Sequence, residues 1–236
     1  MIQKKFFLVA IILLLIFSAP AFADQLADAD SALAHKDYIT AFLLFQSLAQ
    51  QGNPEAQRLL ARMYYLGQGV EQNEAESLKW LKLSVDQGDD MAMATLGSMY
   101  DLGKGGVQKD MTQAVKWFRA AADHGNISVL PQLSYIYFNG VVGVPQNYAE
   151  AAKWDHKIIE RDDFYLDVRD AQEQLGEIYA KGEGVAQDYV QAYMWLNLAS
   201  ASGDKFASQS RDAVAAKMTP EQIAEAQKLA REREVK

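Results

Sequence analysis

The sequence predicts an all-helical solenoid of four tandem two-helix repeats. Two periodic series and a recurring turn predict it. All four tryptophans fall in one context: Leu78-Lys79-Trp80-Leu81, Val115-Lys116-Trp117-Phe118, Ala152-Lys153-Trp154-Asp155 and Tyr193-Met194-Trp195-Leu196, at spacings of 37, 37 and 41. Tyr64, Tyr100, Tyr137 and Tyr179 keep step at 36, 37 and 42, and each precedes its Trp by 16 or 17 residues. Between each Tyr and its Trp lies a glycine turn: Gly67-Gln68-Gly69-Val70, Gly103-Lys104-Gly105-Gly106-Val107, Gly140-Val141-Val142-Gly143-Val144 and Gly182-Glu183-Gly184-Val185. Self-similarity at a period of this length is the mark of a repeat array.

Each turn divides a repeat into two helices. A Gly that follows a helix supplies the left-handed cap other residues resist. Helix A therefore runs through the Tyr to the first Gly of the turn. Helix B begins a few residues after the Val and carries the Trp. Ser77, Ala114, Ala151 and Ala192 stand three residues before each Trp and share its face. A small residue beside an indole lets the neighbouring helix approach. Helix B ends at Gly88, Gly125 and Gly203, each eight residues past its Trp. The slots recur at fixed spacing, so the Tyr and Trp series reads as core packing, and Trp117→Ala is expected to cost about 3–5 kcal/mol.

The expected boundaries follow. Residues 1–23 read as a secretory signal peptide: Lys4 and Lys5, an apolar run from Phe6 to Phe17, then Pro20 and Ala21-Phe22-Ala23 before Asp24. The other reading, a retained membrane anchor, needs roughly 20 apolar residues, and this run has 12. Residues 24–53 form an N-terminal helical hairpin cap, with Ala41, Leu44 and Gly52 in the Ala, Trp and Gly slots but without the glycine turn. The repeats cover 54–207 (54–89, 90–126, 127–168 and 169–207). Residues 208–236 are capping helices, with Thr219-Pro220-Glu221-Gln222 as a helix start. Such caps shield the end repeats of an array.

These residues resemble the Sel-1-like repeats, a subclass of the tetratricopeptide-like helical repeats, and in particular exported bacterial members. Repeat two matches through Ala92, Leu96, Gly97, Tyr100, Gly103, Val107, Asp110, Ala114 and Trp117. Repeat four matches through Ala171, Leu175, Gly176, Tyr179, Gly182, Gly184, Val185, Asp188, Ala192 and Trp195. Repeat one departs at Ala61 and Ser77, and repeat three at Val129 and Ser134. The resemblance implies a right-handed superhelix and an adaptor or scaffold that binds partners on a concave groove lined by A helices.

Composition narrows the partner. Removing the leader with its two lysines takes the formal charge from −8 to −10, and so acidic a chain repels nucleic-acid phosphates and anionic headgroups. With no Cys there is no disulfide, thiolate zinc site, cysteine nucleophile or lipidated cysteine. The expectation is a monomer in the periplasm or outside the cell, with no membrane insertion after cleavage and no cofactor.

A catalytic constellation is not legible. His35, His124 and His156 lack a second His at ligand spacing, and His124 and His156 read as solvated. The glycine turns do not end in Gly-Lys-Ser/Thr, and the acid or amide residues that follow (Asn73, Glu74, Asp110, Asp188) read as helix caps that would repel a phosphate. Ser202-Gly203-Asp204-Lys205 fits Ser-x-x-Lys, but the Ser-Asp-Asn and Lys-Thr-Gly companions of penicillin-recognising enzymes are missing, so it reads as a linker. The chain is expected not to be an enzyme. Two rivals stay open: a cell-wall-associated enzyme or activator, related to β-lactams or peptidoglycan, and a structural envelope scaffold.

Candidate partner-binding positions are the A-helix residues outside the repeat slots: Arg58, Arg62, Tyr65, Met93, Tyr135 and Phe138. Arg and large aromatics are favoured interface anchors; the alternative is that they pack neighbouring helices. From Trp154 to Tyr179 the spacing is 25, against 20 in the preceding intervals. The added residues over 160–170 include Phe164 and Tyr165 and could form a partner-contacting protrusion, or a longer connection with both rings tucked beneath it.

Overall fold

Side-chain caps open both helices of repeats one and two and the B helices of repeats three and four. Asn53 and Asp89, each directly after a positive-φ Gly, accept the backbone N–H three residues on and open an A helix. Asn73, Asp110, Asn147 and Asp188, each three residues past the Val of a glycine turn, do the same for the B helices. A side-chain acceptor here satisfies an amide that the helix itself leaves unpaired. The computed structural model that shows this describes residues 24–161, 168–201 and 205–234. The expected leader, the added residues with Phe164 and Tyr165, and Ser202 to Asp204 lie outside them.

The helices are α1 (24–34), α2 (Tyr38–Gln50), α3 (Pro54–Leu66), α4 (Glu74–Asp86), α5 (Asp90–Leu102), α6 (Met111–Asp123), α7 (Leu130–Asn139), α8 (Tyr148–Ile159), α9 (Val168–Lys181), α10 (Tyr189–Ser200), α11 (Lys205–Ala215) and α12 (Pro220–Glu234). The architecture is all-α, of repeated helix–turn–helix units. Helices α3, α5, α7 and α9 are the A helices, and α4, α6, α8 and α10 the B helices. Beyond helix, the described residues hold only an isolated bridge, Val141 to Val144, inside the third glycine turn. Helix A of repeat three starts later than expected. A 3-10 turn, Ile127–Val129, precedes α7, and Pro131, which has no N–H to give, stands in the first turn of α7. Among the described residues no helix is long and apolar enough to cross a membrane.

The chain forms two compact units, one up to Lys109 and one from Asp110. In the first, α2 and α3 enclose Ala41, Phe45, Leu48, Ala56, Leu60 and Met63, with Trp80 packed against them. Phe42 and Tyr64 meet edge to face at 5.5 Å. Gln57, buried among them, donates to the Ala49 carbonyl (3.1 Å) and accepts from Gln87 (2.7 Å), so one amide ties α2, α3 and the end of α4.

In the second unit, α10 packs against α9, α11 and α12. It buries Ala192, Tyr193, Met194, Trp195, Leu196 and Ala199, as only a helix covered on several sides does. Helix α12 starts on the expected reciprocal cap: Thr219 N–H donates to Gln222 Oε1 at 2.9 Å, and Gln222 N–H to Thr219 Oγ1 at 3.3 Å. Ala226 and Ala230 form its inner stripe.

The second glycine of a turn answers two demands. Gly69 (φ +73°) and Gly184 (φ +77°) hold the left-handed conformation. Each also lies against the first turn of an earlier helix, α2 for Gly69 and α8 for Gly184. A Cβ on Gly69 would overlap the Tyr38 carbonyl, and one on Gly184 would sit 2.5 Å from the Ala149 nitrogen. Gly52 (φ +91°) has open space instead. Gly69→Ala should therefore cost well over the roughly 1 kcal/mol expected for Gly52→Ala. Urea unfolding of the two variants measures the difference.

Candidate partner-binding face

Helical register sorts the A-helix residues into those that hold the fold and those left outside. Counting from the Tyr of each repeat, positions six before, two before and one after are not buried. They read Arg58, Arg62 and Tyr65 in repeat one; Ala94, Ser98 and Asp101 in repeat two; Pro131, Tyr135 and Phe138 in repeat three; and Glu173, Glu177 and Ala180 in repeat four. Their chemistry changes completely between repeats, whereas the Tyr slot does not. Met93 falls seven before its Tyr, one residue out of this register, and is 6 % exposed. It is buried and offers no surface to a partner, contrary to the expectation for it.

In the first unit Arg58 is already engaged. Its Nε donates to Asp89 Oδ2 at 3.1 Å, and its guanidinium lies 3.4 Å from Glu55, leaving the side chain 16 % exposed. Asp89 caps α5 with its other oxygen. Arg58 thus ties α3 to the start of α5. Arg62 is exposed and Tyr65 half-buried, and these two remain as the unit's candidate contacts.

In the second unit Tyr135 is 59 % exposed on α7. Phe138, one turn on, is half-buried and meets Tyr148 edge to face at 5.3 Å. Lys181 of α9 stands 5.8 Å from the Tyr148 ring and is ion-paired to Glu177 at 3.0 Å; the hydrogen bond to Glu177 raises the lysine's pKa. Gln146 donates to the Phe138 carbonyl (2.7 Å) and the Tyr148 hydroxyl (2.8 Å). The result is an aromatic and ion-paired platform across α7, the start of α8 and the end of α9. Tyr148 and Lys181 escaped the sequence reading because they lie outside the A-helix positions it searched.

The Trp series is graded. Trp195 is 1 % and Trp154 2 % exposed, whereas Trp80 and Trp117 are half-buried. Each indole carries a cation over its face: Lys79, Lys116, Lys157 and, from α12, Arg233 at 4.3 Å. The Tyr slots are half-buried at 64, 100 and 179 and buried at 137. The cost of about 3–5 kcal/mol for Trp→Ala therefore belongs to Trp154 and Trp195 rather than Trp117. His124 is exposed as expected, but His156 is half-buried with its ring 5.8 Å from Trp195. Burial first, then Arg233, lowers its pKa. Among the described residues no group of three or more His, Asp or Glu is placed to hold a metal.

Tyr135→Ala should leave stability within about 0.5 kcal/mol. Tyr137→Ala, two residues away on the same helix, removes a buried ring whose hydroxyl bonds Arg119 at 3.1 Å and should cost about 3 kcal/mol. Chemical denaturation of the pair checks the assignment of outer and inner positions.

Comparison with known proteins bears on the same repeats. The family model described as Sel1 repeat matches residues 35–53, 54–89, 90–126, 132–163 and 169–204. It therefore takes in the second helix of the N-terminal hairpin, expected as a cap, as a fifth segment. A Sel1 repeat protein from Oxalobacter formigenes is 35% identical with a TM-score of 0.56, over 73% of this chain and 48% of that one. A protective antigen present in uropathogenic Escherichia coli strains and displaying an SLR fold is 28% identical (TM-score 0.48), over 90% of this chain and 53% of that one. A putative Sel1 repeat protein from Klebsiella pneumoniae is 20% identical (TM-score 0.46), over 82% and 93%. The chain spans about half the length of the first two. No protein of curated function matches it significantly.

Proposed function

Because the chain belongs to the Sel1 repeat family, whose members are generally protein-interaction scaffolds, we propose that it is an exported, monomeric adaptor that holds a protein or peptide on the outer positions of its A helices. The observation that carries this reading is the division by register. Core slots repeat, while the outward positions go from Arg62 and Tyr65 to Ser98 and Asp101, then Tyr135 and Phe138, then Glu177 and Ala180. A surface outside the repeated core slots that presents large aromatics suits recognition. In the second unit the anchors are Tyr135 and Phe138. In the first they are Arg62 and Tyr65. The leader-like residues 1–23 and the acidic remainder support export and a partner that is not a nucleic acid.

The chain beginning at Asp24, immobilised and offered envelope extract, should retain a defined protein that a Tyr135→Ala, Phe138→Ala variant of unchanged thermal stability loses. Equal retention by both would remove the α7 face from the reading. Mass spectrometry of the protein recovered outside the cytoplasm should find Asp24 at its N-terminus, and an intact Met1–Ala23 segment there would overturn export by cleavage.

A further inference from the structure

One inner position of repeat three breaks the apolar rule of the others. The residue after the Trp is Leu81, Phe118 and Leu196 in repeats one, two and four, each buried. In repeat three it is Asp155, with no exposed surface at all. The helix A residue opposite is altered in step. In repeat four Gly176 faces Leu196 so closely that a Cβ would sit 2.5 Å from Leu196 Cγ. In repeat three the same two places hold Ser134 and Asp155, and the pair is hydrogen-bonded through Ser134 Oγ and Asp155 Oδ1. Ser134 Oγ also lies 3.0 Å from Gln174 Oε1 on α9. The chain Asp155–Ser134–Gln174 thus runs from α8 through α7 to the next repeat's A helix.

A hydroxyl has one hydrogen and here faces two acceptors. If Asp155 keeps its proton, the chain is complete: the carboxyl donates to Ser134, and Ser134 donates to Gln174. If Asp155 ionises, it takes the Ser134 hydrogen. Gln174 must then turn its amide to donate, and the second carboxylate oxygen, which has no partner, carries buried charge. Among the described residues no cation is ion-paired with Asp155. Helix α7 has no charged residue. Helix α8 carries Glu150, Lys153, His156 and Lys157 and is capped by Glu160, and α9 carries Arg169, Asp170, Glu173, Glu177 and Lys181. The proton affinity of the Asp155 carboxyl is set by burial, which raises its pKa to about 7, and by Ser134, which opposes the rise.

We propose that the buried Asp155–Ser134–Gln174 chain is a pH-sensitive latch between repeats three and four, closed while Asp155 holds a proton and loosened when it ionises. The sign follows from linkage. A folded pKa above the unfolded 3.8 means the native state binds the extra proton. Its contribution to stability is complete below the unfolded pKa and is lost as pH rises through about 7. His156, on the same helix, works the other way: its lowered pKa makes stability fall on acidification. The latch therefore sharpens on the acid side of neutrality and frees α9 on the alkaline side, and α9 carries one edge of the Phe138–Tyr148–Lys181 platform.

The test compares the full chain with Asp155→Asn, which keeps a neutral donor to Ser134, and with Asp155→Leu, which restores the residue type of the other repeats. Thermal unfolding of the unaltered chain should fall by about 5–10 °C between about pH 5 and about pH 8 from this group. Hydrogen exchange of residues 168–181, corrected for the intrinsic effect of pH, should show opening of α9 rise by about 100-fold. Both variants should lack this part of the pH dependence. A pH profile shared by the unaltered chain and either folded variant would overturn the latch.

Discussion

A close approach of backbone to backbone sets how one repeat sits on the next within each unit. In the first and last glycine turns the second glycine lies against the first turn of an earlier helix: Gly69 against the Tyr38 carbonyl of α2, and Gly184 against the backbone of Tyr148 and Ala149 of α8. At these two positions there is no room for a Cβ, whereas Gly106 and Gly143 of the longer middle turns keep 3.8 and 3.3 Å to the helix before them. Gly69 and Gly184 must also take positive φ, so two independent constraints converge on glycine. With the turn seated, the cap three residues after its Val starts helix B, and the small residue before each Trp meets helix A. Ser77, Ala114, Ala151 and Ala192 are all buried. The aromatic slots follow from that geometry and do not create it.

Once register is fixed, the A helix has outward positions that packing does not dictate. This separates recognition from folding. It explains how Tyr135 can stand exposed beside the buried Ile136 and Tyr137, and why the outer residues change character in every repeat. The two units differ in what they offer. The first pairs Arg58 away with Asp89 and leaves Arg62 beside Tyr65. The second gathers Tyr135, Phe138, Tyr148 and the Glu177–Lys181 pair. The C-terminal helix completes the second unit by placing Arg233 over Trp195, so the last repeat's indole meets an added helix instead of solvent.

Periodic features were legible in the sequence because each is enforced four times. The turns, the B-helix starts, the buried small residues and the Thr219–Gln222 cap stand where spacing places them. The misses have two causes: side-chain direction turns by about 100° per residue along a helix, and partners distant in sequence do not show in spacing. Met93 and Ala94 are neighbours in sequence, yet only Met93 points inward. Arg58 looked like an anchor because its partner, Asp89, is 31 residues away. The contrast between half-buried Trp80 and enclosed Trp195 depends on what covers each repeat. Asp155 and Ser134 were visible as departures from the repeat, but their pairing needed the distance between α7 and α8.

Hydrogen–deuterium exchange of the chain alone and with its captured partner distinguishes the A-helix face from every other surface in a single measurement. The division of positions by register predicts partner-induced protection in α7, α9 and the first turn of α8, or in α3, with α4, α6 and α10 unchanged. Protection confined to the B helices, or to α11 and α12, would contradict it.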